Sequence, residues 1–212
     1  MKMTIRNSAL MAVTVAALGG CAGGNMGTAQ QAAYDRDTAD VMARSFRAQG
    51  IATLDRLQQD PLMATCSAPD RHLGDEQAEQ IQAAAMAGIK WPSDGNFLGD
   101  WKEGEKLAQS GKGLTWKDKA DGANGGNCYN CHRISKTEIS YGTIGPSLYQ
   151  YGKLHGNTEK TQKYVWAKIW NPNATMACSN MPRFGHSGIL DEKQIRHIVA
   201  LLLDPKSPVN AE

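Results

Sequence analysis

The stretch Cys128-Tyr129-Asn130-Cys131-His132 constrains this chain more than any other. Two cysteines separated by two residues, the second followed at once by a histidine, form the attachment pattern of a c-type haem. The sulfurs add to the two porphyrin vinyl groups, so both must lie on one turn of chain along one edge of the ring. The histidine that follows is carried beneath the ring, where its imidazole binds iron on the proximal face. A Cys-x-x-Cys redox pair or half of a zinc site needs no histidine in the next position. The chain also has no second such pair, and no strand-rich thioredoxin pattern surrounds this one.

A covalent haem is attached outside the cytoplasm, and the start of the chain agrees. Lys2 and Arg6 form a positive n-region ahead of the apolar run at residues 9–18. Ten helical residues rise only about 15 Å, half the hydrocarbon thickness of a bilayer, so the run reads as an export signal over residues 1–21 and not as a membrane span. Leu18-Gly19-Gly20-Cys21 resembles a bacterial lipobox with Cys21 as the lipidated first mature residue. The alternative is ordinary cleavage near Ala22, and both place the folded part in the periplasm.

With 41% hydrophobic and 21% charged residues in 212, the chain is an ordinary globular mixture, which argues against disorder and against nucleic-acid binding as its main role. Charge is uneven: residues 21–99 carry 6 Lys/Arg against 10 Asp/Glu, and residues 100–212 carry 15 against 11. A basic face around a haem edge could steer an acidic partner. Scattered, solvated lysines account for the same numbers.

Residues 22–97 read as a tether followed by a helical extension. Residues 22–30 are rich in glycine and small polar residues. Tyr34, Thr38, Val41, Met42, Ser45 and Phe46 then recur at helical spacing, with Gly50 suited to the helix end. Ile51, Leu54 and Leu57 suggest a second short helix before Asp60-Pro61, and residues 75–87 a third, with Ala78, Ile81 and Ala85 on one side. These segments hold too few large apolar residues for a core of their own and are expected to pack on the haem domain or a partner. Turn formers at Trp91-Pro92-Ser93-Asp94-Gly95 mark a boundary, with the haem domain at residues 98–212.

In that domain Asp100 can cap a helix over residues 101–110 with Gly104 in its middle, and a last helix over 191–203 presents Ile195, Ile198, Val199 and Leu202 before the stop at Pro205. A mid-helix glycine costs about 1 kcal/mol relative to alanine, so a close helix contact is the better account of Gly104. The arrangement resembles class I cytochromes c, whose first and last helices cross at such a residue, and the fold implied is all-α. The aromatic residue usual on that last helix is missing. Gly145-Pro146-Ser147-Leu148 resembles the class I segment whose proline carbonyl accepts a hydrogen bond from the proximal histidine, here Pro146 and His132.

The sixth ligand decides what the iron can do. Met176, Met181, His155 and His186 are the candidates. Met181-Pro182-Arg183-Phe184-Gly185 is a loop full of helix breakers, where a core role for the methionine is hard to argue, and 49 residues from His132 are ample to cross the ring. Met181 is therefore the expected ligand, with a bis-histidine site through His155 or His186 as the alternative. His–Met coordination closes both axial positions and raises the potential, which suits electron transfer. Setting aside Cys21, Cys128 and Cys131 leaves Cys66 and Cys178, an even pair for a disulfide in an oxidising compartment. Cys178 as an iron ligand or redox thiol is the other reading.

Together with Gly99-Asp100-Trp101, Ile169-Trp170-Asn171-Pro172 and the closing Asp204-Pro205-Lys206-Ser207-Pro208-Val209-Asn210, these motifs make residues 98–210 resemble the SoxX family. SoxX is the small cytochrome subunit of the SoxAX complex of bacterial thiosulfate oxidation. The resemblance implies a heterodimer with a monohaem or dihaem SoxA, which carries the catalytic haem. It implies also that thiosulfate is joined oxidatively to a cysteine of the SoxYZ carrier (L-cysteine S-thiosulfotransferase), and that the electrons pass through one haem c here to a small acceptor cytochrome c. Cys128 and Cys131 would hold that haem, with His132 and Met181 as its axial ligands. Residues 22–97 lie outside the resemblance. The rivals are a stand-alone electron shuttle, free or lipid-anchored, and a ligand sensor or peroxidase, which would need Met181 off the iron. An apolar patch at the haem edge would favour the fixed subunit, and a ring of lysines the shuttle.

Overall fold

The computed structural model describes residues 28–68 and 72–211, so the export signal, Cys21 and most of the expected tether lie outside the described residues. The chain falls into two units that meet between Phe46 and Arg47. The first holds α1, Thr28–Ser45, which begins inside the stretch expected to be tether and stops before Gly50. Its larger apolar side chains, Tyr34 and Val41, are about half exposed.

Among the described residues the second unit has helices as its regular elements and one isolated antiparallel bridge between Gln49 and Ala52. A 3₁₀ turn at Leu54–Leu57 stands where a second helix was expected, and it is followed by α2, Pro61–Ser67, and α3, Asp75–Ala87. Then come α4, Trp101–Gln109, α5, Tyr151–His155, α6, Glu159–Trp170, and α7, Glu192–Leu203. None of the described helices is long and apolar enough to cross a membrane.

Local chemistry starts the principal helices. Asp100 accepts from the Lys102 N–H at 2.8 Å to open α4, and Thr158 accepts from Thr161 at 3.3 Å to open α6. At α7, Asp191 accepts from the Gln194 N–H at 2.7 Å while the Gln194 side chain accepts from the Asp191 N–H at 3.0 Å, a reciprocal capping box.

The most extensive helix contact is that of α4 with α7. A Cβ on Gly104 would stand 2.1 Å from the His197 carbonyl oxygen and 3.0 Å from the Leu201 Cβ, so only glycine admits this crossing. The missing aromatic on α7 does not prevent it. Along α7, Ile195, Ile198, Val199 and Leu202 are buried as their spacing predicts, and Leu201 and Leu203 are buried with them. Each such burial contributes about 1.5–3 kcal/mol before entropy is counted. The aromatic share of the core comes from α6: Trp166 is fully buried, edge-on to Phe97 with ring centres 5.7 Å apart and stacked on Trp170 at 6.0 Å.

The turn at Pro92 to Gly95 does not separate two units. Ala85, Ile89 and Phe97 belong to the same core as α6 and α7, and the Trp166 indole donates to the Lys90 carbonyl at 3.0 Å. Arg196 of α7 pairs in bidentate fashion with Asp94 of that turn, at 2.8 and 2.9 Å. The N-terminal part of the expected extension therefore divides at Phe46, and residues 47–97 pack as part of the haem-domain unit.

Candidate haem site

The Cys-x-x-Cys-His motif hangs from the C-terminal end of α4. Backbone bonds from Gly126 to the Leu107 carbonyl (2.8 Å) and from Asn127 to the Ser110 carbonyl (2.9 Å) fix its approach. Asn127 takes a left-handed backbone, φ 48°, and Cys128–Asn130 form one 3₁₀ turn. The Cys128 carbonyl accepts from both Cys131 (3.1 Å) and His132 (3.0 Å), so the two sulfurs and the imidazole leave a single turn. Tyr129 points inward, its hydroxyl donating to Glu105 of α4 at 2.9 Å and lying 2.9 Å from the Ser135 hydroxyl. Burial raises the pKa of both the Tyr129 phenol and the Glu105 carboxyl.

His132 is oriented as its expected role requires. Its Nδ1 lies 2.7 Å from the Pro146 carbonyl oxygen, an acceptor only, so Nδ1 carries the proton and Nε2 keeps its lone pair for a metal. Gly145 makes room for the ring, because a Cβ there would stand 2.2 Å from His132 Cε1.

Of the four candidates for the opposite face, Met181 is partly buried against the core. Met176 is 58% exposed, and His155 and His186 are also exposed. His155 lies against Tyr151 with ring centres 4.4 Å apart and planes tilted by 37°, and it lines a cleft of about 620 Å³ with Pro146, Ser147, Leu148 and Tyr164, on the side of the proline segment that supports His132. The Met181 loop is pinned from within: Ser179 donates to the Asn173 side chain at 3.0 Å and Met181 donates to the Ser179 hydroxyl at 3.3 Å. Gly185 lies flat on Trp170, since a Cβ there would meet the indole at 2.4 Å. Cys66 and Cys178 are disulfide-bonded with Cα atoms 5.3 Å apart, which removes Cys178 as a free thiol or iron ligand.

These residues fit a covalent haem. Cys128 and Cys131 are both unpaired while the other described cysteines are bonded, and burial pushes the Cys128 thiol up to about 12. A redox-active Cys-x-x-Cys needs the opposite, a thiol held low enough to ionise. Among the described residues no cluster of three His, Cys, Asp or Glu gathers to complete a zinc site. Two buried side-chain nitrogens among the described residues have no hydrogen-bond partner, Arg133 Nε and Trp170 Nε1. A buried donor without an acceptor is costly, and the two carboxylates of a haem are acceptors of the right kind. Arg133 follows His132 directly, and Trp170 underlies the Met181 loop. Sequence reading missed this pair, although Trp170 lies in a segment it had singled out. No spacing rule marks a buried side-chain nitrogen left without a partner.

Comparison with known proteins agrees with this geometry. The family model described as cytochrome c matches residues 100–205. A protein of Aquifex aeolicus (strain VF5) described as an uncharacterized lipoprotein is 41% identical over 155 residues, which span 72% of this chain and 73% of that protein. Its core of crossing helices, its motif and the extent of the match make this chain a member of the cytochrome c family, an all-α electron-transfer protein with covalently bound haem c.

Proposed function

We propose that the chain is the electron-transfer subunit of a SoxAX-type S-thiosulfotransferase, with Cys128 and Cys131 in thioether linkage to one haem c and His132 and Met181 on the two faces of its iron. Bound there, the haem takes up and releases single electrons. The chain holds it so that little else can happen. The Pro146 carbonyl keeps the proton on His132 Nδ1 and so leaves Nε2 basic, and the Met181 thioether would be the second ligand, which would favour the reduced form. Arg133 Nε and Trp170 Nε1, buried without partners, would donate to the haem propionates. With His132 and Met181 both serving as ligands, the iron would have no open position for thiosulfate. Joining thiosulfate to a carrier cysteine then falls to a SoxA-like partner and a SoxYZ-like carrier; it releases two electrons and a proton, and the electrons leave one at a time through this chain to a small acceptor cytochrome.

The observation that carries the fixed-subunit reading is an apolar loop beside the haem motif. Ile139 is 88% and Ile144 82% exposed, with Tyr141 between them also exposed. The loop is stitched to the motif by bonds from Gly142 to the Tyr129 carbonyl and from Gly145 to the Cys131 carbonyl, both 2.8 Å. Two isoleucines in water at a haem edge suit a surface that stays covered. A carrier that leaves its partner every cycle is better served by charge.

A stand-alone shuttle anchored in the periplasm through Cys21 is the second reading, favoured by the lipoprotein relative and by Leu18-Gly19-Gly20-Cys21. The test is reduction of the ferric protein by thiosulfate. In extract of its own periplasm the haem should be reduced within the mixing experiment, and the purified chain alone should stay oxidised. A haem that stays oxidised in the extract would contradict the proposal.

A further inference from the structure

The helix α2 has no buried residue, yet it is fixed at both ends to the loop that carries Met181. At its first turn Asp60 does two things with one carboxylate: Oδ1 accepts from the Met63 N–H at 2.8 Å and caps the helix, and Oδ2 pairs with the Arg183 guanidinium. At its last turn Cys66 is bonded to Cys178. The two ties bracket Met181, one three residues before it and one two residues after. Core packing does not account for α2, since nothing of it is buried.

We propose that α2 is a clamp on the methionine loop, with Cys66, Asp60 and Arg183 as positioning residues that keep the Met181 thioether within reach of the iron. The inference rests on the reading of Met181 as the axial ligand. A neutral thioether binds iron weakly, so its occupancy depends on how closely the chain confines it. The loop's own bonds hold it on both sides of Met181, at Ser179 by the Asn173 side chain (3.0 Å) and at His186 by the Trp170 carbonyl (3.0 Å), and Cys178 has a left-handed backbone, φ 57°, which the surroundings must hold in place. The clamp adds two ties from outside the loop, and it joins the segment at residues 60–67 to a function 112 residues further along the chain.

The experiment uses the folded, haem-loaded protein. A dithiol passes two electrons and two protons to the Cys66–Cys178 bond, giving two thiols and the cyclised disulfide of the reagent. The thiols are alkylated, alkylation is verified by mass, and the iron is returned to the ferric state with ferricyanide. Imidazole is then titrated as a competing ligand, and the weak sulfur-to-iron band at the red end of the spectrum is followed. The clamp predicts at least tenfold tighter apparent imidazole binding after cleavage and several-fold tighter binding in Asp60→Asn, which keeps an N-capping side chain but loses the charge. Hydrogen exchange over residues 176–185 should rise in both.

Met181→Ala, run alongside, separates the two claims. If it removes the band while the cleaved protein and Asp60→Asn bind imidazole within twofold of the parent, the clamp is overturned and the ligand assignment stands. If Met181→Ala leaves the band unchanged, the ligand assignment falls and takes the clamp with it.

Discussion

A single hydrogen bond decides how the motif is read. With Nδ1 of His132 at 2.7 Å from a carbonyl that can only accept, Nε2 keeps its lone pair, as the proposed ligand role requires. Gly145→Ala should undo this, because the new Cβ would stand 2.2 Å from the ring. Overpacking of this kind costs about 1–3 kcal/mol, and here the ring is what must yield. The expected outcome is a several-fold lower haem content per chain, measured from the absorbance of the pyridine complex. Met181→Ala should remove the sulfur-to-iron band and lower the reduction potential; an unchanged spectrum would sink the assignment. Glu105 offers a pH test. Burial raises its folded-state pKa above the ordinary value of 4.5, so the folded chain binds the proton more tightly than the unfolded one. Its contribution is fully present below that ordinary value and is lost as pH rises through the folded one. Glu105→Gln should flatten the fall in melting temperature between about pH 4.5 and neutrality, while the parent keeps it.

At the scale of elements, what was legible followed from spacing. Gly104 announced a close helix contact, and residues 191–203 a last helix with Ile195, Ile198, Val199 and Leu202 as its buried face, and these stand in the structure. Gly104→Ala should destabilise the fold by about 1–3 kcal/mol, because its Cβ meets the His197 carbonyl, a backbone atom that cannot rotate away; denaturant melts would show it. What was misread has physical reasons. The spacing of Ile51, Leu54 and Leu57 suggests a helix only before Asp60-Pro61, whereas an N-capping aspartate followed by proline at the first helical position is itself a start signal, and α2 begins there. Turn formers at residues 91–95 suggested a domain boundary, but a turn shows only that the chain reverses, and the Asp94–Arg196 pair and the buried Phe97 belong to tertiary structure. The role of Trp170 was hidden for a different reason, because an unpaired indole N–H is visible only once its surroundings are in place.

At the scale of the molecule, the cytochrome fold leaves Ile139 and Ile144 exposed beside the motif. On the proposed reading, His132 and Met181 would confine the iron to electron transfer, and the exposed Ile139 and Ile144 would lie in a lasting interface. Changing both to aspartate should leave the absorption spectrum intact and abolish association with the partner, since charges buried in an apolar interface are expensive to desolvate. The most direct test is to recover the tagged mature protein from its own periplasm and weigh what comes with it. The proposal predicts a second cytochrome in stoichiometric amount, its haem ligated through a cysteine-derived sulfur. Recovery of the chain by itself, with other proteins only in trace, would contradict it and leave an electron shuttle built on the same fold.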